Sequence, residues 1–130
     1  MSHFSTVKTE LRDLPALLGA LTDLGHEPSC APQPVRGYRG QTITADVSVP
    51  QPDGADIGFR WNPTNDSYEL VTDLQLWNQA IPVERFLARL HQRYALRTIL
   101  AATAEEGFQV TEQRDALDGS IELVVTRWDG

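Results

Sequence analysis

The sequence is nearly empty of sulfur, with Cys30 its only cysteine. An internal disulfide is therefore excluded, as is a zinc or iron–sulfur site built from several thiolates of one chain. A reducing interior fits that usage best. Long apolar runs are equally scarce. No stretch nears the ~20 apolar residues needed to span a bilayer, and Met1 to Glu10 lacks the apolar core of a secretory signal. The expected location is the cytoplasm, with no membrane insertion. Positive charge is in deficit too: eleven Lys and Arg stand against 18 Asp and Glu, a net charge of −7. Such a balance repels duplex DNA as a non-specific ligand. No Gly-rich phosphate loop, nucleophile elbow, metal-ligand cluster, internal repeat or low-complexity tract is visible, so the expectation is a protein that is not an enzyme and carries no cofactor.

What remains is ordinary globular material. The chain has 130 residues, 41% hydrophobic and 22% charged, enough for one domain over residues 1–130 with its own core. His3 to Glu10 carries Phe4 and Val7 among β-favouring threonines and predicts a first strand. Asp13 then precedes Leu14, Leu17, Leu18, Leu21 and Leu24, all on one helical face. Asp13 is the expected N-cap and Gly25 the terminator. Three prolines between Pro28 and Pro34 predict a loop. Thr42 to Val49 alternates as one half-buried strand. Ile57, Phe59 and Trp61 form a second alternating face. After the turn Asn62-Pro63-Thr64-Asn65-Asp66 a long strand is expected from Tyr68 to Trp77, hairpin-paired with its predecessor.

Pro82 opens a second helix in which Val83, Phe86, Leu87, Leu90 and Tyr94 recur at helical spacing. The apolar positions then slip to Leu96, Ile99 and Leu100, which predicts a bend in a helix running to Glu106. Gly107 ends it. Phe108 to Arg114 and Ser120 to Trp128 form a closing hairpin around Asp118-Gly119. The expected fold is α+β: an antiparallel sheet of about six or seven strands with two helices on one face. Its expected order is strand, helix, four strands, helix, two strands.

Several segments together carry a resemblance: Ser2-His3-Phe4-Ser5, Tyr68-Glu69-Leu70-Val71 with Asp73-Leu74, Pro82-Val83-Glu84-Arg85-Phe86-Leu87, Gly107-Phe108, Asp118-Gly119-Ser120-Ile121, Leu123-Val124-Val125 and Arg127-Trp128. Over almost its whole length the chain resembles the hypothetical chloroplast reading frame thirty-five family, a domain of unknown function in cyanobacteria and algal plastids. The resemblance implies a photosynthetic host, a cytoplasmic or stromal location and an assembly or regulatory role. No catalytic residue comes with it. The chain departs from the family's pattern at Glu122 and Thr126, where longer basic or amide side chains are expected.

The sharpest chemical feature is Arg85, Arg89, Arg93 and Arg97, four guanidinium groups at i, i+4 steps. They read as one stripe on helix two, with no Asp or Glu three or four residues from any of them. The bland reading pairs them with acids of the sheet or loops, or leaves them solvated. The functional reading makes the stripe a dock for an acidic protein partner or for self-association. Its alternative is a small anionic ligand or single-stranded RNA.

Arg36-Gly37-Tyr38-Arg39-Gly40 adds Arg36 and Arg39 as candidate anion contacts; its bland reading is a tight turn. His26 and Cys30 are two ligands where zinc needs about four. Asp46, Asp56, Glu69 and Asp73 fit the solvated face of a one-sided sheet better than acid–base chemistry. Trp61, Trp77 and Trp128 fit core or edge cover.

Overall fold

A computed structural model of the chain describes residues 4–37, 40–52, 54–115 and 121–127. The elements are β1 (Ser5–Lys8), α1 (Leu14–Asp23), β2 (Gln33–Arg36), β3 (Thr42–Ala45), β4 (Val47–Val49), β5 (Ile57–Asn62), β6 (Ser67–Thr72), α2 (Val83–Glu105), β7 (Phe108–Asp115) and β8 (Ile121–Arg127). The α+β class is as the sequence indicates, but the strands divide differently. A four-stranded antiparallel sheet runs β1-β6-β5-β4, while β2-β3 and β7-β8 form separate two-stranded ladders. Five strands, not four, lie between the helices.

Alternation builds the main sheet. Val7 is opposite Leu70, Leu70 opposite Phe59 and Phe59 opposite Val47, so one row of apolar side chains crosses all four strands. Ile57, Val49 and Tyr68 extend that face. Leu17, Ala20 and Leu21 of α1 and Phe86 and Leu90 of α2 cover it. Each fully buried Leu or Phe in this layer contributes about 1.5–3 kcal/mol relative to exposure. On the opposite face Gly58 is fully enclosed: a Cβ there would stand 2.6 Å from Val35 Cγ2 and 3.0 Å from Ala45 Cβ. The β2–β3 hairpin can lie against the sheet only because position 58 has no side chain.

Four local expectations change. The proline loop contains β2, with Pro34 opposite Thr44. Gly37 N–H donates inward to Gln41, whereas Arg36 N–H donates away from the hairpin to Asp56. By alternation the nitrogen of Pro34 also lies on the side away from β3, so no bond of that ladder is lost. The strand expected over Thr42–Val49 breaks at Asp46, whose N–H donates to Phe59 O and whose carboxylate accepts from Trp61 N–H at 2.7 Å. That break lets β3 pair with β2 and β4 with β5. The strand expected to reach Trp77 ends at Thr72, because Asp73 caps a 3₁₀ turn over Leu74–Leu76 by accepting from Gln75 N–H. Asp13 does occupy the N-cap of α1 but makes no side-chain capping bond. The Tyr94 hydroxyl of α2 accepts from the N–H groups of Arg12 and Asp13 instead, at 3.0 and 2.8 Å.

Helix α2 is one continuous run of 23 residues. Gly25 and Gly107 follow the two helices with φ of 88° and 82°, the left-handed conformation that ends a helix at little cost for glycine. The closing hairpin forms with a bulge between Val110 and Glu112. Its Asp118-Gly119 turn lies outside the described residues.

Candidate interaction surface on helix two

The four arginines do not form a straight stripe. With 3.6 residues per turn, each step of four residues overshoots a full turn by about 40°, so three steps carry the row about 120° around the helix. Its first half faces solvent and its second half reaches α1. Arg97 holds Asp23, the last residue of α1, through two bonds: Nε to Oδ2 at 2.9 Å and Nη2 to Oδ1 at 2.5 Å. Arg93 Nη2 reaches the same Oδ2 at 3.3 Å. These bonds, with that from Arg97 the strongest influence, hold the Asp23 carboxyl below its ordinary value. The compensating acid thus comes from the other helix, not from the sheet or loops. It also explains Gly19 inside α1: the Arg97 guanidinium lies over it, with Nε 3.1 Å from where a Cβ would stand. Arg93 Nε is buried without a hydrogen-bond partner among the described residues.

Arg85 and Arg89 are exposed. Arg12, Arg36, Arg60, Arg93 and Arg97 each hold a carboxylate. Among the arginines whose side chains are described, only Arg85 and Arg89 do not.

Arg36 is bound to its own fold. Its Nε and Nη2 fork onto Asp56, each at 2.8 Å, and its backbone N–H and that of Gln51 complete the carboxylate's shell. Asp56 is 3% exposed. Burial alone would raise its carboxyl, but the Arg36 guanidinium and the two backbone donors outweigh that and hold it below the ordinary value. Tyr38 and Arg39 lie outside the described residues.

The solvated acidic face expected on the sheet is corrected as well. Asp56 and Asp73 are buried, Asp46 organises the β3–β4 break, and Glu69 accepts from Arg60 and Asn62. The Arg60 bonds draw the Glu69 carboxyl down. Sequence alternation marks which residues share a face, but not that a second hairpin or a cross-strand arginine waits there.

Trp61 and Trp77 make edge-on ring contacts with Tyr68 and Phe86, and Trp77 Nε1–H donates to Ile81 O. Trp128 is outside the described residues. His26 packs edge-on against Phe86, and burial lowers its pKa. Cys30 is exposed. Among the described residues no group of three His, Cys, Asp or Glu side chains could hold a metal ion.

The sequence pattern contained a second signal, the slip of apolar positions after Tyr94. Leu96 sits about 100° and Ile99 about 160° around the helix from the Phe86–Leu90 face. This slip marks no interruption of the helix; it marks a second apolar face, toward β8. Gln92, Ala95, Leu96 and Ile99 with Ile121 and Leu123 line a groove of about 150 Å³. Ile99 is 46% exposed at its edge.

The family model described as a protein of unknown function, DUF1257, matches residues 20–124. Three relatives, each named uncharacterized protein ycf35, align over nearly the whole of both chains. The protein of Guillardia theta is 41% identical over 128 residues, covering 98% of each chain. That of Pyropia yezoensis is 39% identical over 129 residues, covering 99% of each. That of Cyanophora paradoxa is 40% identical over 128 residues, covering 98% of each. No solved structure matches. Among the described residues no helix is long and apolar enough to cross a membrane. With a family model matched over most of its length and relatives of this similarity matched end to end, the chain belongs to the ycf35 family.

Proposed function

We propose that this protein is a non-enzymatic interaction module that docks an acidic protein surface on the outward face of α2. One observation carries the reading: Arg85 and Arg89 are exposed without a carboxylate, whereas the other arginines with described side chains are ion-paired. On a chain of net charge −7, two adjacent cations left open on a rigid helix favour an anionic complement. The state of the carboxylates supports a role outside catalysis. Asp56 and Glu69 are each tied to an arginine that favours the charged form, the opposite of a poised general acid. The algal relatives agree with a photosynthetic host, and the role we propose there is assembly or regulation, in the cytoplasm or stroma.

The alternative, a small anion or single-stranded RNA held by the whole row, has less support, because Arg36, Arg93 and Arg97 each already hold an internal carboxylate.

The test is affinity capture from native extract with the wild-type chain and Arg85→Glu/Arg89→Glu as baits. Loss of specific partners from the variant is the expected result. Equal recovery of the same proteins by both baits would show that this face is not the interface.

A further inference from the structure

Resting on that reading of α2 as a docking face, we infer that its occupant is a second copy of this chain, laid antiparallel along α2. Charge, shape and spacing each point to self-complementarity.

The charges of α2 are unbalanced along its length, cationic over its first two turns and acidic at its C-terminus. Arg85 stands in the first turn, where backbone N–H groups concentrate positive potential and Glu84 offsets its charge, and Arg89 follows one turn later as a cation with no acid of its own on the helix. Glu105 and Glu106 stand at the C-terminus, where the potential is negative, and the last turn holds no basic residue. Both acids are exposed. An antiparallel second helix corrects both ends at once, bringing the Arg85–Arg89 end of each copy to the Glu105–Glu106 end of the other. A partner that merely supplied acids would correct only the first.

The shape is also reciprocal. Ile99, 46% exposed, forms part of the rim of a groove of about 150 Å³ that Gln92, Ala95, Leu96, Ile121 and Leu123 also line. One copy therefore presents both an aliphatic knob and room for one, as a two-fold interface requires. Around them Ala88, Ala95 and Ala102 are exposed, and side chains this small let two helix backbones approach closely.

The spacing fits an antiparallel pair. Ala88, Gln92, Ala95, Ile99, Ala102 and Glu106 follow one another at intervals of four, three, four, three and four residues, the seam of a helix pair. The seam is symmetric about position 97. Antiparallel pairing there sets Ala88 against Glu106, Gln92 against Ala102 and Ala95 against Ile99, each twice. Arg85, at the seam's edge, then comes within one turn of the other copy's Glu106.

Analytical ultracentrifugation of the full chain from about 1 µM to about 1 mM tests the inference. The wild type is expected to approach twice its 14.5 kDa mass, with a dissociation constant on the order of 1–100 µM for so small an interface. Ile99→Glu is expected to weaken dimerisation at least ~10-fold. Because Ile99 is exposed, circular dichroism of that variant should match the wild type. Arg85→Glu/Arg89→Glu and Glu105→Arg/Glu106→Arg should each be monomeric alone and pair when mixed, since each supplies the ends the other lacks.

A wild type that stays at 14.5 kDa throughout, or a dimer indifferent to both Ile99→Glu and the charge reversals, overturns the inference. A monomeric wild type whose captured partners still depend on Arg85 and Arg89 sinks the second-copy occupant alone and leaves the docking face standing. A monomer without that dependence removes both.

Discussion

Asp56 is a charged group almost wholly withdrawn from water, and it remains charged because four donors surround it. The bonds join three separate pieces of chain: Arg36 at the end of β2, Gln51 in the loop after β4, and position 56 itself, next to β5. Asp56→Ala strands the backbone N–H groups of Arg36 and Gln51, while the half-exposed Arg36 guanidinium finds water. The expected loss is about 2–3 kcal/mol of unfolding free energy. The pH dependence follows from the direction of the shift. The folded value lies below the ordinary 3.8, so the unfolded chain takes up the proton first. The contribution is whole above about 3.8 and drains as pH falls through the lowered folded value. Asp23 and Glu69 are displaced in the same direction and add to the loss. Urea unfolding between pH 7 and pH 3 should show wild-type stability falling at the acid end, with a shallower fall in Asp56→Ala. Parallel curves for the two proteins would mean that Asp56 does not hold its charge as the geometry requires.

An element's surface depends on what its neighbours bring, and α2 shows how far sequence can anticipate that. Its existence, its start at Pro82, its end before Gly107 and its core face of Phe86 and Leu90 follow from spacing and from the chemistry of Pro and Gly. The fate of its arginines does not. Nothing in the order of residues places Asp23, some 70 positions away, beside Arg93 and Arg97, because that contact exists only once α1 and α2 lie against one another. Two local oddities were clues. Asp23 ends α1 at the negative end of its dipole, with no basic residue in the last turn. Gly19 sits mid-helix, where glycine costs about 0.5–1 kcal/mol relative to alanine. Both are explained by the Arg97 guanidinium crossing α1. A double-mutant cycle over Asp23→Ala and Arg97→Ala should give a coupling of about 0.5–1 kcal/mol at low salt that shrinks at high salt, as for an ion pair open to solvent. In a Gly19→Ala background the added methyl displaces the guanidinium, and the coupling should fall toward zero. An unchanged coupling there would show that Gly19 does not position Arg97.

For the whole molecule, the α+β class and the face each residue takes are legible because period 2 and period 3.6 are written locally. Which ladders join into one sheet is not. Ser5 pairs with Thr72 across about half the chain, and alternation specifies a face without naming a partner strand. The single sheet expected from the pattern is therefore three separate sheets, and they differ in support. β5 and β6 are paired on both edges and covered by helices on one face and, around Gly58, by the β2–β3 hairpin on the other. Among the described residues β7 and β8 have only each other for a ladder, with a bulge in the register. Between β8 and α2 lies a groove that is still open. An isolated two-stranded ribbon is marginal in water, so this hairpin takes its stability from the second half of α2 and should open without global unfolding. Hydrogen exchange at about 0.1 µM, below the expected range for dimerisation, should find the amides of Ile121–Arg127 less protected than those of β5 and β6 by a factor of ~100 or more, about 2.7 kcal/mol of opening free energy. Raising the concentration into the dimeric range should narrow that gap for Ile121 and Leu123, which line the groove, while leaving β5 and β6 unchanged. Equal protection of the two ladders at low concentration would instead mean that hairpin and main sheet unfold as one cooperative unit.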